Sequence, residues 1–386
     1  MIIGFNGRFL LQPFTGIGKH SIQLLLQLAH DYLEVIFVVI IPEALSREVA
    51  SQFTHCPNIQ FHIRPESSFL RKLHKGLAKT FWERRQLAEV FRKEKVDVIH
   101  IPYPSAFRRT NTPLCVTIHD VIPWVLHEYR QRGYLSSVYN NLALHESLRA
   151  DVIFTVSEFS KKELLRFTDV AEEKIIVTPN ACDKRFIARS SQKEKQETLL
   201  KYKLPLEKKF LFYLGGFDQR KNVERLVEIF SRFIAPQSDL NLVIGGERLF
   251  ENQLYNSFEK AKKVKFKERI HFTGAIEESD LPKLFQSAWA FIHLTSYEGF
   301  NMPLLEALSS GTVCIASHIP PHLEIDGDSI YFINLKNTDE ALAEKILLLQ
   351  SDGSVYAKTK ARTEMFISHF SWKKTAERVF AAYQKF

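Results

Sequence analysis

The chain has 386 residues, and its 52 Lys and Arg against 44 Asp and Glu give a formal net charge of +8. Hydrophobic residues make up 45% and charged residues 25%, which excludes a disordered, collagenous or coiled-coil chain. The longest apolar run, Val35–Ile41, is far shorter than the roughly 18 residues that a membrane span needs. At about 100–200 residues per domain, the length predicts two domains, or three.

Four scattered cysteines, Cys56, Cys115, Cys182 and Cys314, have no C-x-x-C spacing, so we expect neither a zinc module nor a disulfide framework. Free cysteines and the absence of signal-peptide features at Met1–Leu11 favour a cytoplasmic protein. The positive charge fits nucleic acid, an anionic membrane or a polyanionic small substrate, and equally a merely basic surface. Because no basic-aromatic module is recognisable, we expect no nucleic-acid partner.

Short apolar runs alternate with amphipathic stretches through the first half of the chain. The runs predict strands at Ile2–Phe5, Val35–Ile41, Ile59–Ile63, Val98–Ile101, Cys115–His119, Val152–Val156 and Ile175–Val177. Helical patterns lie between them at Lys19–Leu28, Phe69–Phe91 and Leu135–Leu148. This alternation predicts an α/β fold with a mostly parallel sheet and helices on both faces.

The alternation is interrupted at 188–209, a polar and charged stretch that predicts a linker with one short helix. A second series of predicted strands follows at Phe210–Leu214, Leu240–Ile244, Ile270–Phe272, Ala290–His293 and Val313–Ala316. We therefore predict two Rossmann-like domains, 1–187 and 210–368. They are expected to face a cleft, with the ligand at the carboxyl ends of the strands.

Two candidate sites lie in the first predicted domain. Gly16 and Gly18 open the first helix, where the backbone can approach a ligand and unpaired N–H groups can meet a phosphate. The sequence is neither G-x-G-x-x-G nor a P-loop, so a glycine turn made for helix packing is the alternative. His119 and Asp120 end an apolar strand, where a ligand contact and a capped strand end are both possible. No other His or Asp lies at ligand spacing nearby, so we expect no metal there.

The stretch Gly215–Asn222 directly follows the first strand of the second domain. Asn222 can cap the helix that follows it. Arg220 and Lys221 therefore meet a helix N-terminus, where two cations are electrostatically misplaced unless an anion joins them. We interpret this pair as a binding site for an anionic ligand.

Two carboxylates, Glu298 and Glu306, bracket a glycine turn and the start of a helix whose first turn suits Pro303. With Glu306 expected in that first turn, the two can bind two sets of hydroxyls on one ligand. Acidic residues are common near helix N-termini, yet this complete spacing is the most specific signal in the chain. The triplet Asp326-Gly327-Asp328 is of the kind that holds Mn²⁺ or Mg²⁺, but its glycine centre and the serine after it favour a surface turn.

These motifs, taken in order, resemble the retaining glycosyltransferases of family 4, which have the GT-B fold. The likeness covers nearly the whole chain. It includes the Gly16–Gly18 loop, TIHD at 117–120, VSEFSK at 156–161, TPNACD at 178–183, YLGGFDQRKN at 213–222, FTG at 272–274 and SYEGFNMPLLEALSSG at 296–311. HD-x-x-P, SEFS and GGxxxRKN look most like bacterial mannosyltransferases that build cell-surface polysaccharide from GDP-mannose. The resemblance makes 1–187 the acceptor-side domain, 210–368 the nucleotide-sugar domain, and 369–386 a helix that crosses back onto the first domain.

Carried over to this chain, the resemblance implies roles for residues of the second domain. Arg220 and Lys221 would neutralise the donor diphosphate as charge builds on the leaving group. Glu298 would contact hydroxyls of the transferred sugar, and the backbone of Phe300–Met302 would support that sugar and its phosphate. Glu306 would hold the ribose hydroxyls.

In the first domain, Gly16 and Gly18 would approach the diphosphate once the cleft closes, and His119 would orient a hydroxyl of the sugar or of the acceptor. The resemblance implies front-face attack with retention, which requires no protein nucleophile, metal or other cofactor. The family usually has Gly where Asn301 stands. Asn tolerates unusual backbone angles better than most residues, so the loop is expected to keep its shape.

The reaction that the resemblance implies moves a hexose, with mannose from GDP-mannose as the first choice, to a lipid-linked saccharide or polysaccharide acceptor. A glucosyl- or rhamnosyltransferase that uses a UDP-, ADP- or dTDP-sugar is one alternative. A phosphorylase or a sugar-nucleotide epimerase on the same fold is another.

Residues 69–95 carry nine Lys or Arg against three Glu, a local balance of +6. Apolar residues recur there near helical spacing, namely Phe69, Leu73, Leu77, Phe81 and Trp82. The pattern fits a basic amphipathic helix on the anionic inner face of the cytoplasmic membrane. The alternative is a helix that packs its apolar stripe on the first domain and leaves its cations solvated.

Overall fold

The computed structural model describes residues 1–126, 134–246, 259, 263–326, 328–351, 354 and 368–386. The chain forms two compact units, one of residues 1–180 with 371–386 and one of residues 181–370. Each unit has a parallel sheet with helices in its crossover connections. The predicted α/β class with two Rossmann-like domains is therefore confirmed.

The sheet of the first unit is built from apolar runs, most of them fully buried, as in a sheet covered by helices. Its strands are β1 (Ile2–Asn6), β2 (Ile36–Ile41), β3 (Ile59–Ile63), β4 (Val98–Ile101), β5 (Leu114–Thr117), β6 (Val152–Thr155) and β7 (Ile175–Val177). In the described part of the chain they lie parallel in the order β3-β2-β1-β4-β5-β6-β7. The order reverses between β1 and β4, and the carboxyl ends of strands at such a reversal are the usual place for a ligand.

The helices of the first unit connect these strands. They are α1 (Gly16–Asp31), α2 (Arg47–Ser51), α3 (Ser68–Leu73), α4 (Lys75–Phe81), α5 (Leu87–Lys93), α6 (Ile122–Val125), α7 (Tyr134–Leu148) and α8 (Glu158–Phe167). Helix α1 begins where predicted because the hydroxyl of Thr15 accepts the N–H of Gly18 at 3.1 Å. Its buried face contains Ile22, Leu25 and Leu28.

The single helix predicted over Phe69–Phe91 is interrupted. His74 is extended, at φ −164° and ψ 129°, and its ring accepts the N–H of Gly76 at 3.1 Å to cap α4. A π-helical turn at Trp82–Gln86 then joins α4 to α5. The periodicity did not show this break, because apolar residues keep their spacing across it.

The sheet of the second unit repeats the pattern of the first. Its strands are β8 (Phe210–Leu214), β9 (Asn241–Gly245), β10 (Ile270–Gly274), β11 (Ala290–His293), β12 (Val313–Ser317) and β13 (Ile330–Ile333). Among the described residues they are parallel in the order β10-β9-β8-β11-β12-β13, which reverses between β8 and β11. The sequence pattern did not predict β13, whose four residues form a short run at the edge of the sheet.

The helices of the second unit with described bounds are α9 (Gln192–Lys201), α10 (Val223–Ile229), α11 (Leu281–Ser287), α12 (Met302–Ser309), α13 (Pro320–Ile325) and α14 (Asp339–Ser351). The segment 188–209, predicted as a linker, belongs to this unit. Helix α9 starts with a capping box of Ser191 and Glu194 and packs against α11. The side chain of Gln286 also accepts the N–H of Ser190 at 2.9 Å, so this polar stretch is anchored rather than free.

The last helix, α15 (Trp372–Tyr383), belongs to the first unit. The ring of Phe380 stacks on Tyr32, the residue after α1, with centroids 3.6 Å apart, and the hydroxyl of Thr375 donates to the carbonyl of Pro179 at 2.7 Å. The hydroxyl of Tyr383 lies 2.5 Å from Nδ1 of His100 in β4. In the described ranges, no helix combines the length and the apolar character needed to cross a bilayer.

Candidate functional site

Arg220, Lys221 and Glu298 meet beyond the carboxyl ends of β8 and β11, where the strand order of the second sheet reverses. Arg220 and Lys221 end a single 3₁₀ turn, and Glu298 follows β11. Oε1 of Glu298 lies 2.9 Å from Nη1 of Arg220 and accepts a hydrogen bond from the ammonium of Lys221. The three side chains are only 9–12% exposed. The anion that joins the two cations is therefore a side chain of the same chain.

The charges of this cluster depend on one another. Burial alone would raise the pKa of Glu298, but the charges of Lys221 and Arg220 outweigh it and hold the pKa well below its usual range. Burial lowers the pKa of Lys221, and the carboxylate of Glu298 partly opposes that shift. Asp218 adds a second carboxylate, with its Oδ2 3.9 Å from Nη2 of Arg220. The arrangement therefore holds two cations and two anions in a poorly solvated place, where an incoming anion interacts strongly with the cations.

The backbone of Arg220 is fixed by the loop that carries Glu298. Its carbonyl accepts hydrogen bonds from the N–H of Ser296 at 2.8 Å and from the hydroxyl of Thr295 at 3.2 Å. Its guanidinium donates to the carbonyl of Tyr297 at 2.7 Å. The two halves of the cluster are therefore held together by main-chain contacts as well as by charge.

Asn222 does not cap α10 with its side chain, contrary to the sequence-based interpretation. It adopts a left-handed conformation at φ 54° and ψ 32°, and its amide donates to the carbonyl of Leu294 at 2.7 Å. This bond joins the turn after β8 to the loop after β11. Asn222 thus holds the two strand ends together.

The turn between Glu298 and α12 contains the other predicted sugar contacts. Phe300 is buried, with its ring edge-to-face against Phe370 at 5.6 Å, and Met302 is the first residue of α12. Asn301 caps this helix from a left-handed conformation. Glu306 is buried and is the fifth residue of α12, so it lies in the second turn and not in the first as predicted.

His119, in the first unit, follows β5 and is buried. Its Nε2 lies 3.0 Å from the carbonyl of Pro102, so Nε2 carries the proton and Nδ1 is left as an acceptor. Burial lowers the pKa of His119 to about 4, opposed by this hydrogen bond, and the ring is neutral at pH 7. The ring of His20 on α1 packs edge-on against it at 4.7 Å.

The two glycines of α1 have different reasons to be glycine. A Cβ at Gly18 would lie 2.1 Å from the carbonyl oxygen of Gln12, so glycine is required there by packing. A Cβ at Gly16 would meet no other atom of the described residues within 4 Å. The packing alternative thus accounts for Gly18, and a ligand role stays a prediction for both.

A second buried cluster lies at the carboxyl ends of β1 and β4, and the sequence did not indicate it. The carboxylate of Glu83 accepts hydrogen bonds from the hydroxyls of Tyr139 at 3.0 Å and Tyr103 at 3.3 Å. The side chain of Asn6 donates to Tyr103 at 2.7 Å. The ammonium of Lys79 lies 4.9 and 4.4 Å from the ring centroids of Tyr103 and Tyr139. These residues come from separate segments, so no local motif marks them.

Sequence reasoning also missed two buried histidines in the second unit, His293 and His322. His293 ends β11 as the one polar residue of the run AFIH, the same signal that singled out His119. His322 lies on α13, where nothing in the sequence distinguishes it. Both rings contact Asn301.

The triplet at 326–328 is a turn in the part that the structure describes. The carboxylate of Asp326 accepts the N–H of Asp328 at 2.9 Å and that of Ser329 at 3.1 Å, whereas Gly327 lies outside the described residues. Among the residues that the structure describes, no three or more His, Cys, Asp or Glu side chains are grouped so that they could hold a metal ion.

Two family models match the chain, one for each half. The model described as Glycosyltransferase Family 4 matches residues 14–186, and the model described as Glycosyl transferases group 1 matches residues 194–366. Together the two matches extend over most of the sequence. They divide it close to the boundary between the two compact units.

The chain is similar to proteins named as mannosyltransferases and to solved structures. The O-antigen chain mannosyltransferase B of Escherichia coli is 28% identical over 389 residues, which cover 96% of each chain. The serotype-specific mannosyltransferase WbdA of Escherichia coli is 28% identical over 284 residues, 71% of this chain but only 34% of that protein. The structure of Anabaena Alr3699/HepE in complex with UDP-glucose has a TM-score of 0.75 at 13% identity, covering 100% of this chain and 99% of that one. This last likeness shows the fold, and the predicted GT-B class is confirmed.

Proposed function

Because the chain belongs to the glycosyltransferases, with a family 4 region followed by a group 1 region, we propose that it is a retaining mannosyltransferase. The proposed donor is GDP-mannose, and the proposed acceptor is a lipid-linked saccharide or polysaccharide of the cell surface. The mannosyl assignment is supported by the mannosyltransferase relatives and by the HD-x-x-P, SEFS and GGxxxRKN motifs. Donors with uridine, adenosine or thymidine bases are the alternatives that experiment must separate.

The observation that carries this proposal is the buried cluster of Arg220, Lys221 and Glu298. A sugar nucleotide presents a doubly charged diphosphate next to a ring of hydroxyls. The guanidinium and ammonium suit the diphosphate, and the carboxylate suits the hydroxyls, so one cluster can bind both parts of the donor. Phe300, Asn301 and Met302 then support the sugar, and Glu306 binds the ribose.

Transfer then requires stabilisation of the departing diphosphate. The bond between the anomeric carbon and the phosphate oxygen breaks, while a bond from an acceptor hydroxyl to the same face of that carbon forms. The hydroxyl proton passes to the departing phosphate oxygen, and the products are the glycosylated acceptor and a nucleoside diphosphate. Arg220 and Lys221 stabilise the charge that accumulates on this leaving group. This front-face route assigns no covalent nucleophile and no metal to the reaction.

The first unit is assigned to the acceptor. His119 is neutral, with Nδ1 left as an acceptor, so it can orient a hydroxyl of the transferred sugar or of the acceptor. Gly16 is assigned to the approach of the diphosphate.

An anionic membrane is the surface at which we propose that this transfer takes place. Four large apolar residues of α3 and α4 are exposed, namely Phe69, Leu73, Leu77 and Phe81, and the first two are 74% and 68% exposed. These four residues are called the apolar patch here. Trp82, by contrast, is buried and donates to the carbonyl of Arg64 at 2.5 Å, which anchors this segment next to β3.

Exposed cations lie in the same helices as the apolar patch, namely Arg71, Lys72 and Lys75. A protein surface that mixes large apolar side chains with cations is complementary to a bilayer whose headgroups are anionic. Packing of the whole stripe on the first unit would have buried these four residues, as it buries Trp82. Their exposure therefore supports binding to a membrane, and it does not support packing of the whole apolar stripe on the first unit.

A binding titration across four donors tests the proposed function most broadly. Calorimetry with GDP-mannose, UDP-glucose, ADP-glucose and dTDP-rhamnose is expected to give the tightest binding for GDP-mannose. Tighter binding of another donor would replace the proposed sugar and base while leaving the transferase assignment intact. Absence of binding by all four, in a folded protein, would overturn the proposed donor site.

A further inference from the structure

Asn301 lies at φ 88° and ψ 73°, a left-handed conformation that costs free energy for any residue except glycine. It is buried, and its side chain carries polar atoms that must be satisfied there. Oδ1 accepts the N–H of Leu304 at 3.4 Å, which caps α12. The hydrogen bonds of the amide nitrogen are the contacts that asparagine makes here and that glycine would lack.

Nδ2 of Asn301 lies 3.1 Å from Nδ1 of His293 and 2.9 Å from Nε2 of His322. The amide group has two hydrogens, so both ring nitrogens accept and must be unprotonated. Nδ1 of His322 donates to the carbonyl of Ser317 at 2.8 Å, which fixes its tautomer. Burial lowers the pKa of both rings, that of His322 to about 4, in agreement with two neutral acceptors.

These contacts continue to the diphosphate half of the donor site. The hydroxyl of Ser317 donates to the carbonyl of Thr295, and the hydroxyl of Thr295 donates to the carbonyl of Arg220 at 3.2 Å. Thr295, Ser317 and His322 are fully buried. An unbroken hydrogen-bonded path therefore joins Asn301 to the backbone of Arg220.

His293 extends the same network to the glycine turn after β8. Its ring stacks on Tyr213 with centroids 5.3 Å apart, and the hydroxyl of Tyr213 donates to the carbonyl of Gly216 at 2.5 Å. Two turns of the site, 215–216 and 298–302, are thus supported by a single pair of imidazoles. Each imidazole is held in place by the amide of Asn301.

We propose that Asn301, His293 and His322 form a positioning network that sets the place of Glu298 relative to Arg220 and Lys221. The proposal rests on the proposed function, because it assigns the network to recognition of the transferred sugar. None of the three needs to touch the donor with its side chain. Loss of the network shifts the carboxylate that binds the sugar. Arg220 stays in place, because its carbonyl still accepts the N–H of Ser296 and its guanidinium still donates to the carbonyl of Tyr297.

Asn301→Gly tests this directly, because glycine accepts the backbone angles but removes the three side-chain hydrogen bonds. We expect the Kd for GDP to stay within about twofold and kcat with GDP-mannose to fall roughly 10- to 100-fold, since small misplacements of a site residue have large effects. Lys203→Gly is the matched control, because Lys203 is an exposed residue of the second unit at φ 55°. Lys203→Gly also places glycine at a position of positive φ, and it is expected to leave the Kd for GDP and kcat unchanged.

His322 gives a second test that does not alter the turn itself. His322→Leu removes the acceptor and is expected to reproduce the loss of kcat. His322→Gln offers an amide acceptor and donor and is expected to restore at least half of the wild-type kcat. If GDP affinity and kcat fall together in Asn301→Gly, or if His322→Leu and His322→Gln have the same kcat, the network is merely structural and the proposal is wrong. Failure of the wild type to turn over any sugar nucleotide would instead refute the proposed function.

Discussion

The carboxylate of Glu298 accepts a hydrogen bond from the ammonium of Lys221, a residue 77 positions earlier in the chain, and both side chains are buried. In the proposed function, a donor diphosphate that enters this site competes with Glu298 for Lys221 and Arg220. The carboxylate released from this pairing is then available to the sugar hydroxyls. The pairing seen in the structure and the proposed donor complex therefore use the same charges of Glu298, Lys221 and Arg220.

Lys221→Met is predicted to weaken GDP binding. A hydrogen bond to a charged group contributes about 1.5–3 kcal/mol, so we expect the Kd measured by calorimetry to rise roughly 10- to 100-fold. Lys208→Met, an exposed lysine before β8, is the matched control and should bind GDP like the wild type. Lys221→Met leaves the buried carboxylate of Glu298 with Arg220 as its cation and can lower the stability of the fold. The double variant Lys221→Met with Glu298→Gln removes that charge, so weak GDP binding in the folded double variant is due to the lost ammonium. Wild-type affinity in a folded variant would contradict the assignment.

Glu298→Gln is predicted to separate the sugar from the nucleotide. Removing the carboxylate takes away the competitor for both cations, so GDP should bind as tightly as in the wild type or more tightly. The turnover of GDP-mannose should fall roughly 100-fold, because a polar contact made in the transition state is altered. Steady-state kinetics and calorimetry on one preparation measure both, with exposed Glu340→Gln as the control. Equal loss of GDP and GDP-mannose binding would show that Glu298 does not contact the sugar.

The apolar patch is predicted to drive binding to anionic vesicles. Phe69→Ser with Leu73→Ser should reduce co-sedimentation with vesicles of phosphatidylglycerol by roughly tenfold or more, because two large side chains lose their burial in lipid. Leu33→Ser is the matched control, since Leu33 is equally exposed on the first unit. Vesicles of phosphatidylcholine alone should bind weakly. Unchanged binding of the double variant, or no binding by the wild type at low salt, would show that the proposed binding to an anionic membrane is wrong.

The thermal midpoint is predicted to fall as the pH decreases from about 6.5 to about 4. Burial lowers the pKa of His100 to about 3 and that of His119 to about 4, and His20 is shifted in the same direction. The unfolded chain therefore binds more protons in this window, and each such histidine lowers the unfolding free energy by at most about 1.4 kcal/mol per pH unit. Calorimetric scans at fixed ionic strength measure the trend. A midpoint that is constant from pH 7 to 5 would contradict the buried neutral rings.

Much of the fold was predictable from the sequence because each strand is a compact apolar run. The break at His74 was not, since it depends on one ring capping Gly76. Nor was the anchoring of 188–209, since the contact of Ser190 with Gln286 joins distant segments. A polar, charged composition alone does not distinguish a linker from a helix packed by one face.

The candidate site was predictable in its parts but not in its assembly. Arg220, Lys221 and Glu298 were each identified from their position after a strand, yet their mutual pairing is a contact between remote segments. Asn301 was identified as a departure from the family pattern. The contacts of its side chain were not predictable, because His293 and His322 come close to Asn301 only in the folded chain.

The most direct test of the account is the product of the reaction. Purified protein is incubated with GDP-mannose and a lipid-linked or polysaccharide acceptor, and GDP release and the anomeric configuration of the product are followed by NMR. We predict one GDP released for each mannosyl residue transferred, with the α-configuration of the donor retained. Inversion at the anomeric carbon, or consumption of GDP-mannose without transfer to any acceptor, would contradict the account.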